Sequence, residues 1–214
     1  MYNMKIKPII LAIALLSATP SQSAFDVKTK NGEFVSLEES VATVKSQISG
    51  GANRVLSQYD VQLDPSVASN YSDPFLRVIR INPNKIEYGE TIKSTLIHEV
   101  AHGVFGPYYP ISIFDWVDKN FPIINIVGVK GLLSHEEKIG FKKDYEMYMN
   151  DPSLSKQEIN DRNLLKLRLL EYGENERAVE SFGMIAQMIY SGGNFPKYIV
   201  SNFEKLFRNV PNKN

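Results

Sequence analysis

His98 and His102 stand four residues apart within His98-Glu99-Val100-Ala101-His102, and that spacing restricts what the surrounding chain can be. On a helix, residues four apart share a face with Cβ atoms about 5–6 Å apart, so two imidazoles can converge on one ion at roughly 2.0–2.1 Å each. The neighbouring sequence supports a helix. Thr91 can cap it, Ile92, Leu96, Val100 and Val104 recur at helical spacing, and Gly103 and Gly106 weaken its end. Glu99 then lies beside the histidines without being a ligand, placed to take a proton from a metal-activated water and pass it to a leaving group. With three histidines in 214 residues, a shuffled chain of this composition shows the five-residue pattern only about three times in a thousand, which favours a metal site over coincidence.

The rest of the chain is that of a folded protein with a leader. Hydrophobic residues make up 43 % and charged residues 22 %, so disordered, collagen-like and coiled-coil chains are excluded. Lys plus Arg and Asp plus Glu each total 24, leaving no net field to steer a polyanion, and nucleic acid is disfavoured as a partner. Lys5 and Lys7 precede an apolar run from Pro8 to Ala18 and a small, polar stretch from Thr19 to Ala24, the three-part layout of a secretory signal peptide. The apolar run is about half of the roughly 20 residues that a spanning helix needs. Ser21 and Ser23 favour cleavage before Ala24, giving a leader of residues 1–23 and one domain of residues 24–214, destined for a periplasm or for secretion. There is no cysteine, which removes disulfides, thiolate metal ligands and a thiol nucleophile.

Local signals predict a mostly helical α+β domain with a small sheet packed on the histidine-bearing helix. Ser36 with Glu39 opens a helix to about Ile48, broken by Gly50-Gly51. Phe75–Asn82 alternates apolar and basic residues and reads as a strand closed by Pro83. Ser134 with Glu137 and Ser155 with Glu158 open helices over about 135–149 and 156–171; a further helix runs from about Glu174 to Tyr190, and Pro196 starts a last one to Arg208. Residues 108–133 are rich in aromatic and aliphatic side chains but interrupted by Pro110, Asp115, Asp118 and Pro122. Base rates favour packed core there, with a membrane-touching or substrate-lining surface as the alternative.

Two histidines do not complete a catalytic site, which ordinarily takes three protein ligands and a water. The extended pattern with a third histidine ten positions after the first is excluded, because Tyr108 stands there. His135 is the remaining histidine, and Glu174, Glu176 and Glu180 are acidic alternatives on the downstream helix. Asn175-Glu176-Arg177-Ala178-Val179-Glu180 resembles the downstream motif of the gluzincin type of zinc metallopeptidase, N-E-x-x-x-D, with Glu180 in place of the commoner Asp. The resemblance spans roughly residues 75–190, and its specific part is the H-E-x-x-H segment.

That resemblance implies a zincin-like fold, a Zn2+ cofactor and a peptide or protein substrate. It makes His98, His102 and Glu176 the zinc ligands, Glu99 the general base, and Glu180 the carboxylate that holds a zinc-binding histidine by its free ring nitrogen. It also implies that Phe75–Asn82 is the edge strand along which an extended substrate lies. Tyr190, Tyr198 and Arg208 are available donors for the oxyanion of the reaction. Two other classes stay open: a non-proteolytic binding protein with a structural metal, its interface formed by residues 108–133, and a secreted toxin or amidase acting on another amide.

Overall fold

The computed structural model describes residues 27–28, 34–73, 76–86, 91–106, 131–173 and 176–209. The expected leader and its expected cleavage bond lie outside them, as does most of the aromatic stretch, residues 107–130. Helices dominate: α1 (Leu37–Gln47), α2 (Gly50–Leu56), α3 (Ile92–Phe105), α4 (His135–Asn150), α5 (Lys156–Arg168), α6 (Arg177–Tyr190) and the short α7 (Lys197–Val200). Among the described residues, no helix is long and apolar enough to cross a membrane.

Side-chain caps start these helices where local sequence predicts. Ser36, Ser134 and Ser155 accept from the backbone N–H three residues on, and Glu137 and Glu158 close reciprocal boxes at α4 and α5. Gly50-Gly51 does not merely break α1. Ser49 caps α2 directly, so the two glycines form its first turn. The segment after Pro196 is also shorter than expected: α7 ends at Val200 and gives way to a 3-10 turn, Ser201–Phe203. That turn leads to Ile48, whose bridge to Phe207 ties the C-terminal segment to the joint between α1 and α2.

The strands are few and short. β1 (Val27–Lys28) and β2 (Phe34–Val35) form an antiparallel pair. A second sheet has the order β3 (Asp60–Leu63), β5 (Val78–Ile81), β4 (Tyr71–Asp73). β3 runs parallel to β5, with Asp60 opposite Val78 and Leu63 opposite Ile81, and β4 runs antiparallel, with Tyr71 opposite Arg80 and Asp73 opposite Val78. The expected strand is therefore present, as Val78–Ile81, but it is the central strand and not an edge. Its Val78, Ile79 and Ile81 are buried, the near-continuous apolar run of a strand covered on both faces. The antiparallel edge belongs to β4.

α3 is the axis of the molecule. α1, α2, the strands β4 and β5 and, most extensively, α6 pack on it. Its apolar positions Ile92, Leu96, Val100 and Val104 are all buried, as their spacing predicts. Beyond its C-terminus the chain returns: Gly131, at φ +70°, seats against Phe105 and Gly106, and the N–H groups of Leu132 and Leu133 donate to the Val104 carbonyl at 2.6 and 3.2 Å. Leu133 is buried, so the described end of the aromatic stretch joins the core. A cluster of aromatic rings joins α3, α4, α6 and the C-terminal turn. Phe182 stacks on Phe203 at 4.5 Å between centroids and meets Phe141 edge-on at 5.0 Å and Phe105 at 5.2 Å. Phe182→Ala removes the ring that all three partners share and is expected to cost about 3–5 kcal/mol of stability, read as a lower urea midpoint at an unchanged m-value.

Candidate metal centre

Thr91 and Ser94 fix the start of α3 with a reciprocal box, at 2.9 and 3.1 Å, and the apolar stripe fixes its rotation against the core. With that stripe turned inward, His98 and His102 emerge toward α6, partly exposed, and Glu99 stays buried at 4 %. α6 presents its own strongly apolar face, from Phe182 through Ile189, to the same core, which brings Glu180 of its first turn over the imidazoles.

The three side chains converge. Nε2 of His98 and Nε2 of His102 are 2.9 Å apart, and Oε2 of Glu180 lies 3.5 Å from the first and 3.7 Å from the second. Three atoms at these separations lie on a circle of radius about 2.0 Å, close to the roughly 2.0–2.1 Å at which such atoms bind a metal. The side chains are 13 %, 20 % and 18 % exposed, so the group is shielded but within reach of solvent. Two nitrogens and one carboxylate oxygen are a donor set that could hold a divalent metal ion.

Gly183 makes this approach feasible. A Cβ there would lie 2.7 Å from Nε2 of His102 and 3.1 Å from Cε1 of His98, inside contact distance of both rings. Only a residue without a side chain lets α6 pass the two imidazoles this closely.

The electrostatics suit a metal. Burial, reinforced by His98, pushes the His102 imidazole down to about 4, so it is neutral and free to ligate at ordinary pH. Burial pushes the Glu180 carboxyl up, but the hydrogen bond with His98 and the nearness of both imidazoles outweigh it and hold the group below its usual range. Burial raises Glu99 to about 7; Glu180 adds to the rise, while His98 and a hydrogen bond from Ser72 on β4 oppose it. Burial, with Glu180, Glu99 and other nearby carboxylates adding to it, raises the phenol of Tyr172, just before α6, to about 12.

The expected residues are only partly brought together. His98, His102 and Glu99 stand as their spacing predicts. The third position is occupied by Glu180, the residue expected to hold a histidine from behind, and not by Glu176. Glu176 is exposed at the N-cap of α6, one turn early, with Oε2 turned back to within 3.4 Å of the Gly173 N–H. His135 is exposed at the first residue of α4 and outside the group, and Glu174 lies outside the described residues. The three proposed oxyanion donors are elsewhere. The Tyr198 hydroxyl donates to Asp151 at 2.9 Å, while Tyr190 and Arg208 line a cavity with Gln47 and Phe207 at the far end of α6, ten residues or about 15 Å from Glu180. Ser72, Tyr172 and Gly183 were not singled out from sequence; Gly183 interrupts an otherwise bulky helical run three residues after Glu180, the one local sign that a close approach occurs there.

Comparison with protein-family models, with curated proteins and with solved structures finds no match for this chain.

Three substitutions test the site by elemental analysis and metal titration of the purified, zinc-supplied protein. Glu180→Ala is expected to lose bound metal while Glu176→Ala keeps it at the wild-type level. Gly183→Ala is expected to fold but to bind metal at least about 10-fold more weakly, because the methyl displaces the imidazoles from their shared point.

Proposed function

We propose that the chain is an exported zinc-dependent peptidase of gluzincin type, with His98, His102 and Glu180 as the ligands and Glu99 as the general base. The observation that carries this reading is the position of Glu99, which is buried beside the ligand group and is not one of the three atoms that converge. A purely structural site ordinarily closes all four positions with protein ligands and has no use for a buried extra carboxylate. Two imidazoles and a carboxylate are a donor set that suits zinc.

Zinc bound at such a site lowers the pKa of water to near 7 and polarises a carbonyl oxygen. The residues of this chain do the rest. Glu99 accepts a proton at its carboxylate and returns it to the leaving amine, and burial holds its affinity near neutrality, where both transfers are feasible. His102, kept neutral by its surroundings, stays available as a ligand. Glu180 contributes the single negative charge among the three ligands.

The β4 edge gives the substrate a place to lie. Ser72 on that strand lies beside Glu99, and the strand's outer edge has no neighbour among the described strands. An extended peptide could add there through backbone hydrogen bonds, passing beside the general base. Peptides and proteins are therefore the substrate class. The leader layout of residues 1–23 supports delivery to a periplasm or to the exterior, and the lack of cysteine is compatible with an oxidising compartment.

Glu99→Gln tests the reading. The variant is expected to keep its zinc and its unfolding midpoint while hydrolysis of a mixed peptide library falls about 10²–10⁴-fold. Equal hydrolysis by wild type and variant, or none by the zinc-loaded wild type, would rule it out.

A further inference from the structure

We propose that α5 docks on a lipid bilayer bearing anionic headgroups, with Leu164, Leu167 and Leu170 entering the acyl boundary and Lys156 and Lys166 meeting the phosphates beside them. The inference uses none of the metal-site residues and does not depend on the activity proposed above.

α5 is apolar on two faces. Leu165 and Leu169 are 0 % and 4 % exposed and anchor the helix in the core. Leu164, Leu167 and Leu170 are 43 %, 65 % and 71 % exposed. They stand three apart across the joint between α5 and the 3-10 turn Leu169–Glu171, and side chains three apart on either kind of turn share one side. Single exposed leucines need no explanation, but a ridge of three marks an interaction surface. Leu76, Ile139 and Met147 are the other large apolar side chains exposed to this degree among the described residues, and none lies within four positions of another.

The charges along the ridge indicate what covers it. Both acids of α5 are engaged within the fold: Glu158 accepts from the Ser155 N–H at 2.8 Å, and Asp161, buried, accepts from the Asn194 N–H at 2.7 Å. Lys156 and Lys166 are exposed. Lys166 gives one donor to the Met149 carbonyl at 3.3 Å, and an ammonium has two more. Glu171, at the end of the ridge, is the one exposed acid between Lys156 and Glu171. Leucines with lysines beside them and acids turned away match the boundary of an anionic bilayer, where acyl chains receive the leucines and the flexible lysine stems extend to the phosphates. A second copy of the chain fits less well. Three leucines fall well short of the roughly 800 Å² that each partner buries in a stable interface, and two facing ridges would set lysine against lysine. The 3-10 turn that carries Leu170 packs on α6, so docking through α5 brings the helix of Glu180 near the lipid.

The chain has no cysteine, so a single introduced one can carry an environment-sensitive fluorophore. Leu167→Cys places it on the ridge, and Ala42→Cys, exposed on α1, is the reference. Binding to vesicles of phosphatidylcholine, with or without phosphatidylglycerol, is measured by co-sedimentation and by quenching of the label with brominated lipid. We expect binding to the phosphatidylglycerol vesicles that weakens with salt, and a blue-shifted, quenched label at Leu167→Cys. Combining Leu164→Gln, Leu167→Gln and Leu170→Gln should lower partitioning at least about 10-fold, and Lys156→Gln and Lys166→Gln about 5-fold each on the anionic vesicles. Unchanged urea midpoints check that these variants keep the fold. Absence of binding to the phosphatidylglycerol vesicles would overturn the inference, as would equal, salt-insensitive binding to both kinds. So would a label response at Leu167→Cys no greater than at Ala42→Cys, the result expected where the leader or residues 108–133 make the contact. Leucine-dependent self-association in place of vesicle binding would replace the bilayer with a second copy.

Discussion

Everything at the centre depends on the close passage of α6 across α3. Two imidazoles on one helix can meet a carboxylate on another only if the axes approach within side-chain reach, and the contact point is Gly183, where even a methyl group would strike the His102 ring. The approach is driven by burial, not by the polar groups that it brings together. Phe182, Ile185, Ala186 and Ile189 on α6 and Leu96, Val100 and Val104 on α3 enter one continuous core. The polar triad is set at the edge of that apolar contact, where it is partly shielded and still reachable from solvent.

Partial burial also sets the chemistry. Glu99 and Glu180 are two carboxylates in one shielded region, which is unfavourable for both without compensation. The compensation is unequal. Glu180 has imidazoles and a phenol around it and stays ionised; Glu99 has one imidazole and one serine hydroxyl against deeper burial, and its proton affinity rises to about 7. A cation among the ligands would relieve the repulsion directly. The site thus separates one acid held below the usual carboxylate range from one raised to about 7.

Much of this was legible in the sequence where the determining interactions are local. The α3 helix follows from a capping threonine, apolar residues at helical spacing and a terminal glycine, and the capping boxes at Ser134 and Ser155 fixed the starts of α4 and α5. Strands were harder. Asp60–Leu63 and Tyr71–Asp73 are short and mixed in polarity, so they carry little periodic signal and exist because β5 lies between them. Val78–Ile81 showed its strand character, but whether a strand is central or at an edge depends on partners from other parts of the chain.

The two glutamates of α6 mark the same boundary within the site. Glu176 and Glu180 are four apart, and a linear motif treats them as one helical face. By itself the sequence determined that a helix bears His98, Glu99 and His102 in ligand-and-base spacing and that acids follow downstream, because those facts depend on residues within one or two turns of each other. Tertiary structure alone decided that Glu180 is the acid that arrives, since α6 begins at Arg177 and leaves Glu176 outside it. Such assignments depend on how packed helices and strands are rotated about their axes, and that rotation is set by the whole core at once.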